Sequence, residues 1–171
     1  MRNFVSWEYC RKILQMNSNP VLIGGCGRSG TTLLLSLIST HPDIYAIPEE
    51  TRAFAAGGYP PEEEIDRSLP PYIDFIYEKL ISGKEKVCKS ERWCEKTPMN
   101  VHFIESIFNY FGEGAQFINI VRDGRDVVTS RHPSDPESYY VSPSRWIRDV
   151  AAGTCFEGHP RVLTIRYEDL T

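Results

Sequence analysis

Residues 21 to 34 read Val-Leu-Ile-Gly-Gly-Cys-Gly-Arg-Ser-Gly-Thr-Thr-Leu-Leu, and this stretch constrains the fold more than any other. Val21, Leu22 and Ile23 form a short apolar run suited to the middle of a parallel sheet, and Thr31 to Ser39 switches to a leucine-rich helical pattern. The turn between them must be tight. Gly24, Gly25, Gly27 and Gly30 permit positive backbone dihedrals and close approach of the main chain to a ligand. The free amides at the start of the helix then point into the loop, which makes it a nest for an anion such as phosphate. Gly25 to Thr32 matches the first part of a Walker A pattern, but Thr31 stands where the lysine should be, so the positive charge must come from Arg28 inside the loop. Read alone, such a loop could also be a plain strand-to-helix turn without a ligand.

The rest of the chain alternates strands and helices. Phe4 to Met16 reads as an amphipathic helix ending at the breaker cluster Asn17-Ser18-Asn19-Pro20. His41-Pro42-Asp43 is a turn, and Ile44 to Ile47 a short strand. Ala55 to Pro71 carries paired glycines, paired prolines and Glu62-Glu63-Glu64, the composition of a solvated loop or lid. Helices are expected over Tyr72 to Ile81, Val101 to Phe111, Asp123 to Arg131 and Pro143 to Ala152. Further strands are expected over Arg92 to Glu95, Phe117 to Val121 and Val162 to Ile165. This order predicts an α/β three-layer sandwich with a central, mainly parallel sheet, whose ligands sit at the carboxyl ends of the strands.

Composition narrows the function classes. The 171 residues suffice for one domain with a sizeable core, and the formal charge of -4 argues against a general nucleic-acid binder. No apolar stretch has the length of a membrane span and the N-terminus does not read as a signal peptide, so a cytoplasmic protein without stable membrane insertion is expected. Five cysteines without a CxxC pair signal neither a disulfide framework nor a zinc site, and free thiols are expected.

The candidate site residues follow predicted strands. Arg122 leaves the strand ending at Val121, and Ser130 lies two helical turns further on in Val121-Arg122-Asp123-Gly124-Arg125-Asp126-Val127-Val128-Thr129-Ser130. A guanidinium grips phosphate through paired hydrogen bonds, and a hydroxyl adds another. The same segment could instead hold an Arg122–Asp126 ion pair on a surface helix.

A loop of the form GRSGTT followed about ninety residues later by VRDGRDVVTS resembles the sulfotransferases that use 3′-phosphoadenosine 5′-phosphosulfate (PAPS), and the likeness runs from Val21 to the C-terminus. The resemblance implies a P-loop nucleoside triphosphate hydrolase-like fold. It also implies a 5′-phosphosulfate loop made by Gly27, Arg28, Ser29, Gly30, Thr31 and Thr32, and a 3′-phosphate pair made by Arg122 and Ser130. His41-Pro42-Asp43 followed by Pro48-Glu49-Glu50-Thr51-Arg52 is similar to the stretch of tyrosylprotein sulfotransferases in which a glutamate before Thr-Arg is the catalytic base. That position is Glu50, with Glu49 as the alternative. Lys96 in Cys94-Glu95-Lys96-Thr97-Pro98 resembles a lysine placed beside the reacting sulfate, and Tyr167 in Ile165-Arg166-Tyr167-Glu168-Asp169-Leu170 resembles a cofactor-binding tyrosine.

The function so implied is in-line transfer of a sulfuryl group from PAPS to a hydroxyl or amine. Glu50 would be the base, and Arg28 and Lys96 would stabilise the leaving oxygen without a metal. The acceptor stays open among protein tyrosine, carbohydrate and small molecules, and a homodimer is compatible with the reading. Two departures from the family pattern stand out. Family members continue past the Tyr167 segment, so the expectation is a single domain over 1–171, with a helix in 1–20 and a PAPS-binding core over 21–171, incomplete at its C-terminus. The cysteine that tyrosylprotein enzymes pair with the position of Cys94 is also missing from Ala46-Ile47-Pro48, which fits a reducing compartment. An ATP-dependent P-loop small-molecule kinase and a non-catalytic nucleotide-binding or interaction module are the competing readings.

Overall fold

The computed structural model describes residues 19–55, 71–87 and 89–170. The helix expected over Phe4 to Met16 and most of the expected loop from Ala55 to Pro71 lie outside the described residues. From the N-terminal side the chain forms β1 (Val21–Gly25), α1 (Thr31–Ile38), β2 (Ile44–Ala46), α2 (Asp74–Ser82), α3 (Lys84–Val87) and β3 (Arg92–Lys96). A 3-10 turn over Pro98–His102 leads into α4 (Ile104–Phe111) and β4 (Gln116–Val121). Then come α5 (Gly124–Val128), β5 (Arg131–His132), β6 (Asp135–Tyr139), α6 (Pro143–Thr154) and β7 (Val162–Arg166), closed by a 3-10 turn over Tyr167–Asp169.

Five strands form one sheet in the order β2-β3-β1-β4-β7, and every pairing in it is parallel. The inner strands β1, β3 and β4 alternate their side chains between two apolar layers, as strands covered on both faces do, while edge strand β7 is largely exposed. Val21 and Ile23 pack with Leu34 and Leu35 of α1, Cys94 and Ile120. Leu22 and Phe117 face the other way, into a larger cluster with Ile76 and Leu80 of α2, Trp93, and Ile107 and Phe108 of α4. From β1 the chain runs outward to β2, returns to β3, then crosses to β4 on the far side. The strand order therefore reverses between β1 and β4, and the loops leaving these two strands flank a crevice of the kind that holds ligands in open α/β sheets. No helix among the described residues is long and apolar enough to cross a membrane.

Three details depart from the sequence expectations. The helix expected from Val101 begins earlier, as the 3-10 turn at Pro98, and breaks at Phe103, whose φ of -122° is not helical. The turn is drawn inward by its polar side chains, since the Asn100 amide donates to the Ile23 carbonyl at 3.2 Å. The helix expected over Asp123 to Arg131 stops at Val128, because the hydroxyls of Thr129 and Ser130 donate back to the carbonyls of Arg125 (2.6 Å) and Asp126 (2.7 Å). Arg131 instead pairs with Tyr139 in an antiparallel β5–β6 hairpin, which the polar, proline-broken sequence gave no apolar alternation to reveal.

Gly24 is required by packing. A Cβ there would lie 2.6 Å from both the Val101 amide nitrogen and Phe117 Cζ. Gly24→Ala is expected to destabilise the chain by about 1–3 kcal/mol through overpacking between β1 and the Pro98–His102 turn, read as a lowered midpoint in urea unfolding.

Candidate active site

The loop between β1 and α1 is shaped by three left-handed backbone positions or near relatives of them: Gly25 (φ 149°), Arg28 (φ 68°) and Gly30 (φ 94°). A left-handed arginine is uncommon and is held by its surroundings. The Ser29 amide donates to the Cys26 carbonyl at 3.2 Å, closing the turn. The opening amides of α1 have no intrahelical acceptor, and the helix has no side-chain cap. Arg28 is exposed, Thr32 lies at the surface, and Ser29 and Thr31 are buried. Ser29 Oγ has no hydrogen-bond partner. Gly27 lies against Tyr140 and Arg145, and Gly30 against the ring of Tyr167: a Cβ at Gly30 would come within 2.3 Å of Tyr167 Cδ2.

Beside this loop the structure joins Glu50 to Lys96. Lys96 ends β3, opposite Ile23 of β1, and its ammonium donates to Glu50 Oε1 at 2.5 Å. Arg52 Nε stands 4.0 Å from Glu50 Oε2. The neighbouring Glu49 is drawn elsewhere, into an ion pair with Lys79 of α2. Of the two candidate carboxylates, Glu50 alone is paired with Lys96.

Across the crevice Arg122 leaves β4. Its Nη1 donates to the Arg28 carbonyl and its Nη2 to Asp126 Oδ2, both at 3.4 Å, and its guanidinium stacks 4.2 Å above the Tyr167 ring. The Arg122–Asp126 pair anticipated as the alternative does form, with Ser130 on the same residue through the Asp126 carbonyl. Arg122 and Ser130 thus meet at Asp126, and Arg122 and Tyr167 meet at the glycine loop. Two further contacts tie these segments together: the Trp146 indole donates to the Arg122 carbonyl at 3.3 Å, and the Asp123 amide donates to Glu168 at 2.9 Å.

Two buried polar groups behind the site were not singled out by sequence reasoning. Glu95, 1% exposed, accepts hydrogen bonds from Thr51, Thr97 and Asn100. Burial pushes its carboxyl above the usual range, and these donors pull it back in part. Asp149 of α6 accepts from His102 Nε2 at 2.7 Å, lies 3.5 Å from Arg145 Nε and 3.6 Å from Arg148 Nε, and takes a hydrogen bond from the Cys26 thiol. Burial works to raise the Asp149 pKa, but His102 and Arg145 outweigh it and hold it below the usual range. Burial, reinforced by Asp149, pushes the Cys26 thiol strongly up, as burial does for Cys94; both are free thiols. Their elements are themselves mixed in polarity, β3 reading RWCEK and α6 PSRWIRDVAAGT, so the sequence offers no periodic signal for these groups.

A parallel sheet with a glycine loop after its central strand, and with arginines on both sides of the switch point, defines a P-loop-like α/β protein. Residues 20–171 match the Sulfotransferase family, and the chain belongs to that family. It is 26% identical over 179 residues to Protein-tyrosine sulfotransferase 1 of Danio rerio, a match covering 88% of this chain and 48% of that protein. The chain thus spans about half the length of that curated relative. Among solved structures, a sulfotransferase from Alicyclobacillus acidocaldarius superposes with a TM-score of 0.56 at 16% identity, covering 89% of this chain and 74% of the other. A gluconokinase from Sinorhizobium meliloti 1021 gives 0.50 at 13% identity, covering 88% and 83%. These likenesses show a fold common to sulfotransferases and a kinase.

Because the folded Asp149 pKa lies below its unfolded value, the stabilisation it confers is fully present above the ordinary Asp range and is lost as pH falls through the folded value. Asp149→Asn should cost about 3–5 kcal/mol near neutrality by stranding a buried partner. The gap between wild type and variant should narrow as denaturation curves are repeated from pH 5 downward.

Proposed function

We propose that the chain transfers a sulfuryl group from PAPS to a hydroxyl or amine acceptor, with Glu50 as base and Lys96 and Arg28 as the charges that stabilise the leaving oxygen. The observation that carries this reading is the Glu50–Lys96 pair at 2.5 Å, on the strand adjoining a glycine loop that has Thr31 in place of the Walker lysine. A Walker A loop of a P-loop kinase carries its own lysine. Here the ammonium comes from β3 and sits beside the Glu50 carboxylate, so one point of the crevice holds both a cation and a group able to accept a proton.

The residues present fit the donor. The loop amides and the buried, unpartnered Ser29 hydroxyl suit an anionic phosphosulfate, and Thr31 and Thr32 open the helix that follows. Arg122, braced by Tyr167 and Asp126, would grip the 3′-phosphate with Ser130, which requires both to exchange Asp126 for the ligand. PAPS supplies an activated sulfuryl group on a bridging oxygen. Bond making joins the acceptor oxygen or nitrogen to sulfur, the bond from sulfur to the bridging oxygen breaks, and 3′-phosphoadenosine 5′-phosphate (PAP) leaves. Glu50 takes the acceptor proton, while Lys96 and Arg28 meet the charge developing on the bridging oxygen.

PAP should bind in the presence of a chelator, and Arg122→Ala should weaken it by about 1.5–3 kcal/mol while leaving adenosine 5′-phosphosulfate, which lacks the 3′-phosphate, nearly unaffected. Titration calorimetry with both nucleotides checks this. Tight binding of magnesium ATP with none of PAP would instead assign the site to a kinase.

Glu50→Gln should keep PAP affinity and lower sulfuryl transfer by roughly 10²–10⁴-fold, measured with labelled PAPS against a panel of phenol, sugar and peptide acceptors. Unchanged turnover would remove Glu50 from the base role.

A further inference from the structure

The chemistry above gives Glu95 no part, although it sits one residue before Lys96 and is all but inaccessible to solvent. Its Oε1 accepts from the Thr51 amide (3.0 Å), the Thr51 hydroxyl (3.0 Å) and the Thr97 hydroxyl (2.6 Å), and its Oε2 from the Asn100 amide group (2.7 Å). Thr97 Oγ1 in turn accepts from the Arg52 amide at 3.1 Å, and Thr51 Oγ1 from the Ala53 amide at 3.3 Å. The carboxylate therefore gathers the segment just after Glu50 and the segment just after Lys96 onto one point.

Successive residues of an extended strand point to opposite faces. Glu95 and Lys96 consequently reach the incoming segment from two sides, Lys96 through the Glu50 side chain and Glu95 through Thr51. Arg52, next in line, has a φ of 52°, a conformation that persists in a non-glycine residue only where its surroundings over-determine it. The bond from its amide to Thr97, a residue itself oriented by Glu95, is such a determinant.

We infer that Glu95 is the positioning residue of this site: by fixing the turn at residues 50–52 against the end of β3, it sets the separation and orientation of Glu50 and Lys96. The inference rests on the sulfotransferase reading for its kinetic consequence, whereas its structural half stands apart from that reading. None of the hydrogen bonds of Glu95 reaches residues 26–32 or Arg122, so its influence on the donor is confined to the placement of Lys96.

The test compares wild type with Glu95→Ala, Glu95→Gln and Thr97→Val in steady-state transfer from PAPS to a simple phenol, in PAP calorimetry and in amide hydrogen exchange. Glu95→Ala should lower kcat roughly 100-fold, the cost of misplacing a reacting group by about 1 Å. The KM for PAPS and the PAP affinity should stay within about threefold of wild type. Glu95→Gln should recover part of kcat, because its amide oxygen still accepts from Thr51 and Thr97 while its NH2 meets the Asn100 amide group donor to donor. Exchange at the Thr51 and Arg52 amides should speed up in Glu95→Ala while the Leu34 amide of α1 is unchanged. An unaltered kcat in folded Glu95→Ala would overturn the inference, as would a loss of PAP affinity as large as the loss of kcat. Should Glu95→Ala fail to fold, Thr97→Val carries the kinetic arm with a smaller loss confined to kcat, and a normal kcat there overturns the inference. If wild type neither binds PAP nor turns over PAPS, the sulfotransferase reading falls, and exchange at Thr51 and Arg52 still decides whether Glu95 fixes the turn.

Discussion

The register of β1 with its two neighbours is the constraint on which the rest of the site depends. Ile23 lies opposite Lys96 on one side and Gly25 opposite Ile120 on the other. A parallel pairing slipped by a single residue would turn Lys96 to the opposite face of the sheet and separate it from Glu50. That register is held from both faces, because Val21 and Ile23 are locked by α1 while Leu22 is locked among Trp93, Phe117 and Ile107. Apolar packing, which carries no chemistry itself, thus decides which charged groups meet at the carboxyl edge.

The charges follow a consistent distribution. A loop that lacks a Walker lysine carries Arg28 in its own turn, touches Arg122 just after β4 and Arg145 of α6, and adjoins Lys96 at the end of the neighbouring strand β3. Each is held by different means. Arg122 leans on an aromatic face and an exposed carboxylate, an arrangement of modest strength at a surface. Lys96, 7% exposed at its side chain, is far more sheltered, and there an ammonium without its carboxylate would be costly. The pairing with Glu50, which itself stays exposed, is therefore what lets Lys96 be buried at the end of β3.

Much of this was legible in the sequence. Short apolar runs such as Val21-Leu22-Ile23 and Phe117 to Val121 read as buried strands because of their length, their β-branched and aromatic content and the breakers beside them, and the glycine loop announces a tight strand-to-helix turn through its backbone requirements. The candidate residues Glu50, Lys96, Arg122 and Tyr167 were found from motifs, and the structure brings them to one edge of the sheet. That Glu49 pairs with Lys79 and Glu50 with Lys96 was not readable, because both contacts depend on how α2 and β3 pack in three dimensions. The supports were also missed. Glu95, His102 and Asp149 look like ordinary polar residues in one dimension, and their burial becomes visible only once partners 44 to 47 positions away are in place. The β5–β6 hairpin escaped for a different reason: it is exposed on most of its residues, so no hydrophobic period marks it.

The contact between Gly30 and Tyr167 joins the first loop of the described fold to its last turn. Such a contact closes only after the intervening strands have paired, because the entropy of closing so long a loop must be met by other interactions first. Gly27 also lies against Tyr140 and Arg145, two more partners from late in the chain. The shape of the loop, although encoded near the N-terminal end, is thus completed by residues far along the chain. A chain collapsed around β1, β3 and α4 would possess a core before it possessed a site.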